Sequence, residues 1–224
     1  MTNQIKKVGV IGAGTMGAGI AGQVANAGIE VWLLDLPSDG ENVNSLSAKG
    51  LERLKDPDMP GLMSVEAENL INLGNTRDHF HELEDCDWIA EAVVERLDIK
   101  QQVFEKIEKY RTPGTLITSN TSGIPIKFMN EGRSEDFQKH FAVTHFFNPP
   151  RYLKLFEVVP GPKCIQEVTD FLMMYGDKFL GKTSVLAKDT PAFIGNRIGI
   201  FGIMSLFHVV KEMGLTIEEV DKLT

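Results

Sequence analysis

The sequence predicts an α/β fold built on a doubly wound, mainly parallel sheet, and three observations carry that expectation. An apolar strand, a helix rich in glycine and alanine, and a second apolar strand follow one another within the first 35 residues. The run Gly12-Ala13-Gly14-Thr15-Met16-Gly17 stands at the first strand-to-helix junction. Short apolar runs then alternate with helical patterns as far as residue 187.

Residues 8–11 read as a buried strand, 15–27 as a helix able to lie close to it, and 31–35 as a second strand. Parallel strands joined this way need a right-handed crossover. Residues 41–56 read as helical, Lys55-Asp56-Pro57-Asp58-Met59-Pro60-Gly61 breaks them, and 64–73 reads as a further helix with Glu66 in its first turn. These two helices form an arm inserted after the second strand. Strands resume at 88–93, 116–119, 142–145 and 155–159, with a helix over 98–110 between the first two, so the sheet holds at least six strands. A helix over 165–179 and a strand over 183–187 complete this unit.

Lys188-Asp189-Thr190-Pro191 marks a boundary, with residues 1–188 forming a dinucleotide-binding domain and 189–224 beginning an all-α second domain that reads as cut short. Pro191 suits the first turn of a helix running to 213, and Gly214 can end it. Thr216-x-x-Glu219 is a capping box for a last helix reaching Thr224. The helix over 191–213 is too apolar to stand alone in water, so it is expected to lie against the sheet domain, a second subunit or further sequence. Its core, residues 198–210, is too short to span a bilayer.

The chain has 224 residues, 42% hydrophobic and 24% charged, enough to bury a substantial core. A formal net charge of -8 disfavours nucleic acid as a partner. Cys86 and Cys164 have no close spacing, so neither a disulfide framework nor a metal site is indicated, and a reducing cytoplasm fits. Met1 to Lys7 lead straight into the first strand, leaving no room for a targeting peptide.

The glycine run has the G-x-G-x-x-G spacing that serves a tight turn, close backbone approach to a diphosphate and tight helix packing. The diphosphate is expected on the helix N-terminus. Asp35 ends the second strand at the matching interval, where a carboxylate binds ribose hydroxyls and repels a 2′-phosphate, so NAD is favoured over NADP.

The catalytic candidates lie further on. His145 ends a strand on the carboxyl side of the sheet, where open α/β folds bind ligands, and Asn148-Pro149-Pro150 forces a turn after it. Glu157 arrives on the next, otherwise apolar strand and needs a partner if buried. The pair reads as a general base with its orienting carboxylate, suited to hydride chemistry on an alcohol. His79, His81, His140 and His208 read as structural.

Through Val10-Ile-Gly-Ala-Gly-Thr-Met-Gly-Ala-Gly-Ile20, Glu91-Ala-Val-Val-Glu95, Ser119-Asn-Thr-Ser122, His145-Phe-Phe-Asn-Pro149 and Phe193-Ile-Gly-Asn196-Arg197 the chain resembles the 3-hydroxyacyl-CoA dehydrogenase family. The resemblance implies a Rossmann-like nucleotide domain. It implies that Glu95, Lys100 and Asn120 join the fingerprint and Asp35 around NAD. Ser122, His145, Glu157 and Asn196 would surround the reacting carbon, with Ser122 and Asn196 on the substrate. The implied reaction is NAD-dependent oxidation of (S)-3-hydroxyacyl-CoA to 3-oxoacyl-CoA in fatty-acid beta-oxidation. The implied assembly is a homodimer once the helical domain is complete, or one part of a multifunctional chain.

One feature departs from the family pattern. Its long basic arm is here interrupted at Pro57 and Pro60 and continues with Glu66-Ala-Glu68, leaving Lys49, Arg53 and Lys55 as basic groups on what reads as a solvated face. Two other functions compete. Other NAD-dependent β-hydroxyacid dehydrogenases place a lysine on a glycine-rich helix, which is not seen here. A non-catalytic, crystallin-like scaffold is opposed by the intact His145-Glu157 pair.

Overall fold

A computed structural model describes residues 5–223 of the chain; the lead-in at 1–4 and Thr224, where the last helix is expected to end, lie outside the described residues. The strands are β1 (Lys7–Ile11), β2 (Glu30–Asp35), β3 (Ile71–Asn75), β4 (Trp88–Glu91), β5 (Leu116–Ser119), β6 (Phe141–Phe146), β7 (Leu155–Pro160) and β8 (Thr183–Leu186). The helices are α1 (Thr15–Asn26), α2 (Ser45–Arg53), α3 (Val65–Glu68), α4 (Leu97–Tyr110), α5 (Ile126–Met129), α6 (Glu135–Lys139), α7 (Gln166–Lys178), α8 (Gly195–Met213) and α9 (Ile217–Leu223).

One sheet takes all eight strands in the order β3-β2-β1-β4-β5-β6-β7-β8, and every neighbouring pair is parallel except β6 with β7. The chain winds outward from β1 to β3, then returns to β4 on the other side. The sheet is therefore doubly wound, and its crevice opens where β1 and β4 part, beyond their carboxyl ends. One apolar layer joins it to α1 and α7 through Val24, Leu33, Phe156 and Leu172. The other joins it to α4, α5 and α6 through Ile117, Phe104, Met129 and Phe137. Strands covered on both faces have no solvent side, which is why the middle of β1 and all of β4 and β5 are buried.

The structure corrects three boundaries. The helix expected over 64–73 stops at Glu68, its Ser64 hydroxyl capping the Ala67 N–H, and Ile71–Asn75 becomes edge strand β3. A one-turn helix gives little to compete with a full parallel ladder on β2, and Gly74 approaches too closely for a side chain: a Cβ would sit 2.7 Å from Leu34 Cδ2. The arm helix contracts from 41–56 to Ser45–Arg53. The helix expected from Pro191 starts at Gly195, because Ala192 and Phe193 take φ of 64° and 44°, outside any right-handed helix. That turn seats the Phe193 ring in the core.

Of the coverings foreseen for the apolar helix, the sheet domain is not one: α8 has no buried residue, and Ile198, Phe201 and Phe207 are exposed. Among the described residues no helix is long and apolar enough to cross a membrane.

Candidate active site

Gly12 turns the chain out of β1 at φ 99°, and a Cβ there would lie 2.6 Å from the Ala92 carbonyl oxygen. Only glycine satisfies both the left-handed backbone and this contact with the segment leaving β4. A Cβ at Gly17 would fall 1.7 Å from the Gly12 carbonyl oxygen, so α1 can start directly against the turn only without a side chain. The space beside Gly14 is open. α1 begins with no side-chain cap and no acid in its first turn, which leaves first-turn N–H groups for an anion.

Asp35 stands beside this loop, its Oδ2 accepting the Ala13 N–H at 2.6 Å and its Oδ1 the Leu36 N–H at 2.7 Å. The Ala13 carbonyl in turn accepts from Arg53 Nη1 at 2.9 Å, so Arg53 braces the loop from an exposed position on the face expected to be solvated. Lys55 is exposed there too and forms surface ion pairs with Glu68 at 2.6 Å and Glu52 at 3.0 Å. A cleft of about 600 Å³ opens here between Gly12, Gly14, Thr15, Met16 and Asp35 on one side and Phe80, Val94, Ile99 and Val103 on the other. Free amides at a helix start, a carboxylate ending β2 and an apolar slot fit the diphosphate, ribose and flat base of a dinucleotide. The apolar wall from α4 carried no signal in the sequence, since its residues have the spacing of any core-facing helix.

A second cavity of about 350 Å³ adjoins the cleft, with Met16, Ala92 and Val93 lining both. It gathers Glu95, Lys100, Asn120, Ser122, His145 and Asn196, which approach from the ends of β4, β5 and β6 and the starts of α4 and α8.

His145 and Glu157 are register partners across the single antiparallel pairing. His145 Nδ1 lies 2.6 Å from Glu157 Oε2, and Glu157 is wholly buried. A buried carboxylate costs several kcal/mol unless its lone pairs are met. Here the other oxygen, Oε1, accepts the N–H groups of Ile194 at 2.9 Å and Gly195 at 2.8 Å. With Nδ1 committed to the carboxylate, Nε2 is the ring nitrogen left for the cavity. The Phe147 and Phe193 rings flank the imidazole at 4.5 and 5.7 Å. The two amides were not legible in the sequence, because they arise from the left-handed turn before α8.

Lys100 reaches the cavity from below, its Nζ bonded to both oxygens of Glu91 at 2.7 and 3.0 Å and 3.4 Å from Glu95. Glu91 is fully buried and also accepts from the Val93 N–H and the Ser119 hydroxyl. In the sequence Glu91 figured only as a letter of a motif. Glu95 Oε1 accepts from the Thr121 hydroxyl and from the N–H groups of Ser122 at 3.0 Å and Gly123 at 3.2 Å, so it shapes the turn that carries Ser122. Asn120 Oδ1 accepts the Phe146 N–H at 2.8 Å, tying the end of β5 to the strand of His145.

Burial resists ionisation of Glu95, but the Thr121 hydroxyl, the Lys100 ammonium and the Ser122 amide outweigh it and hold its carboxyl below the usual range. A carboxylate pKa lowered by folding stabilises the fold above its unfolded value of about 4.3, and that contribution is lost as pH falls through the folded one. Glu95→Gln is therefore expected to flatten the acid limb of unfolding stability in urea below roughly pH 5. Parallel limbs for variant and parent would refute the assignment.

The geometry has counterparts among known proteins. Residues 7–190 match the family model described as 3-hydroxyacyl-CoA dehydrogenase, NAD binding domain. A probable 3-hydroxyacyl-CoA dehydrogenase of Deinococcus radiodurans is 46% identical over 222 residues, covering 99% of this chain and 64% of that protein. The chain thus spans under two thirds of that relative's length. Among solved structures, FadB2 of M. tuberculosis superposes with a TM-score of 0.82 at 30% identity, over 97% of this chain and 76% of the other. The (S)-3-hydroxybutyryl-CoA dehydrogenase PaaH1 of Ralstonia eutropha does so with a TM-score of 0.79 at 30% identity, over 96% and 75%.

Proposed function

The chain belongs to the 3-hydroxyacyl-CoA dehydrogenase family, and we propose that it oxidises (S)-3-hydroxyacyl-CoA to 3-oxoacyl-CoA with NAD, as a step of fatty-acid beta-oxidation. The observation that carries this reading is the His145-Glu157 dyad, whose histidine lines the cavity that adjoins the proposed dinucleotide cleft. Bound NAD supplies the hydride acceptor.

His145 Nε2 accepts the proton of the substrate 3-hydroxyl and returns it in the reverse reduction. Glu157, anchored by two backbone amides, holds the ring in one tautomer and stabilises the imidazolium that forms. Ser122 and Asn196 line the same cavity and offer hydrogen bonds to the substrate oxygens, where negative charge gathers. Glu95, Lys100 and Asn120 keep the turns after β4 and β5 in place around the nicotinamide end. The uncapped start of α1 and Asp35 hold the diphosphate and ribose. The thioester class of the substrate rests on the names of the relatives.

Loss of NADH absorbance with acetoacetyl-CoA, set beside free acetoacetate, tests the proposal. Turnover is expected with the thioester alone. Equal rates with both overturn the CoA assignment, and NADH binding without turnover of either favours a non-catalytic scaffold.

A further inference from the structure

The segment joining β6 to β7, Phe147 to Lys154, follows the proposed base directly, and two of its residues, Phe147 and Asn148, line the reacting cavity. Its shape is only partly its own doing: the Tyr152 and Leu153 N–H groups both turn back on the Pro149 carbonyl, leaving the carbonyls of Pro150 and Leu153 without a donor from the turn itself. Burying such carbonyls unpaired is costly.

Lys182, immediately before β8, meets both. Its Nζ donates to the Pro150 carbonyl and, at 3.0 Å, to that of Leu153, with the Phe146 ring 5.8 Å away. The residue is 7% exposed, and among the described residues no carboxylate lies within ion-pair distance of it. Burial alone pushes its ammonium down to about 8. A buried lysine held by two carbonyls instead of an acid is an expensive way to fill space. The opposite side of the turn is set by packing and by the arm. A Cβ on Gly19 of α1 would lie 2.7 Å from the Pro150 ring, and Arg151 Nη1 donates to the carbonyls of Pro60 at 2.6 Å and Leu62 at 2.9 Å.

We propose that Lys182 is a positioning residue for the active site: by binding the Pro150 and Leu153 carbonyls it fixes the turn that brings Phe147 and Asn148 to the cavity beside His145. It touches neither substrate nor cofactor, and it acts through the turn. Its role in turnover rests on the dehydrogenase reading above, whereas its role in holding the turn does not.

The test uses Lys182→Met, which keeps the aliphatic stem and removes the donor, beside Lys182→Arg, which restores a cation with several N–H groups. For Lys182→Met, hydrogen exchange of the 147–154 amides is expected to rise about tenfold or more, with the β5 and α1 amides unchanged. Turnover of acetoacetyl-CoA is expected to fall about 10- to 100-fold, as a displacement near 1 Å produces, with NADH affinity within about twofold. Lys182→Arg should recover most of both losses. Unchanged exchange in 147–154, or an equal loss of NADH binding and of protection throughout the fold, overturns the proposal. If the parent chain itself does not turn over the thioester, the dehydrogenase reading falls and the exchange measurement alone decides on Lys182. Should the methionine variant not fold, Lys182→Gln, a shorter and uncharged donor, takes its place with the same two readouts.

Discussion

His145→Gln is expected to lower turnover of acetoacetyl-CoA by about 10³-fold while NADH binding stays within about twofold. The substitution is conservative in shape, so a loss of that size measures chemistry and not folding. An amide has no basic lone pair at neutral pH, so nothing in the cavity can take the hydroxyl proton at the position Nε2 now holds. The cleft proposed for the dinucleotide lies across Met16 and Val93, and His145 does not line it. Turnover of the variant at the parent rate would rule His145 out as the base. Glu157→Gln probes the other half of the dyad. Glutamine can keep its oxygen on the Ile194 and Gly195 amides, but its NH₂ then faces Nδ1 and forces the imidazole to carry its proton on Nε2. That is the wrong tautomer for a base, and a loss of about 10²-fold or more is expected.

These residues differ in how far the sequence discloses them. The strands β1, β2 and β4 to β7 are readable because most of their length is covered on both faces, and a continuous apolar run bounded by turns has few other uses. β3 is not readable, because Ile71-Asn-Leu-Gly-Asn75 is short and polar and becomes a strand only by lying on β2. The same distinction holds at the site. His145 and Glu157 stand on adjacent strands, so a twelve-residue separation with a turn between them suffices to bring them together. The start of α8 is misplaced by the sequence, since Pro191 marks a helix start and nothing local forecasts φ above zero at Ala192 and Phe193. The amides that hold Glu157 come from that turn and are lost with it. Arg53 shows the limit of charge patterning, which sees a basic helix face but not the Ala13 carbonyl that Arg53 reaches forty residues back in the chain.

Lys100→Met is expected to cost about 3 to 5 kcal/mol of unfolding stability, the largest effect on folding foreseen for the site. The reason lies in Glu91. Its carboxylate is wholly buried, and Lys100, itself 1% exposed, is its only cation within salt-bridge distance among the described residues. Removing the lysine leaves a charge that the Val93 amide and the Ser119 hydroxyl alone cannot compensate. In the double variant Glu91→Gln with Lys100→Met no buried charge remains. The glutamine oxygen can still accept the Val93 N–H, and its NH₂ can donate to Ser119, so most of the lost stability should return. Urea unfolding of the parent, both single variants and the double variant closes the cycle, and additive losses would show that the two residues do not act as a pair. NADH affinity of the double variant then separates two roles for Lys100. If its charge chiefly neutralises Glu91, a folded double variant binds NADH about as well as the parent. If the ammonium acts on the cofactor directly, stability returns while NADH affinity does not. The bonding to both Glu91 oxygens, against one 3.4 Å approach to Glu95, leads us to expect the first.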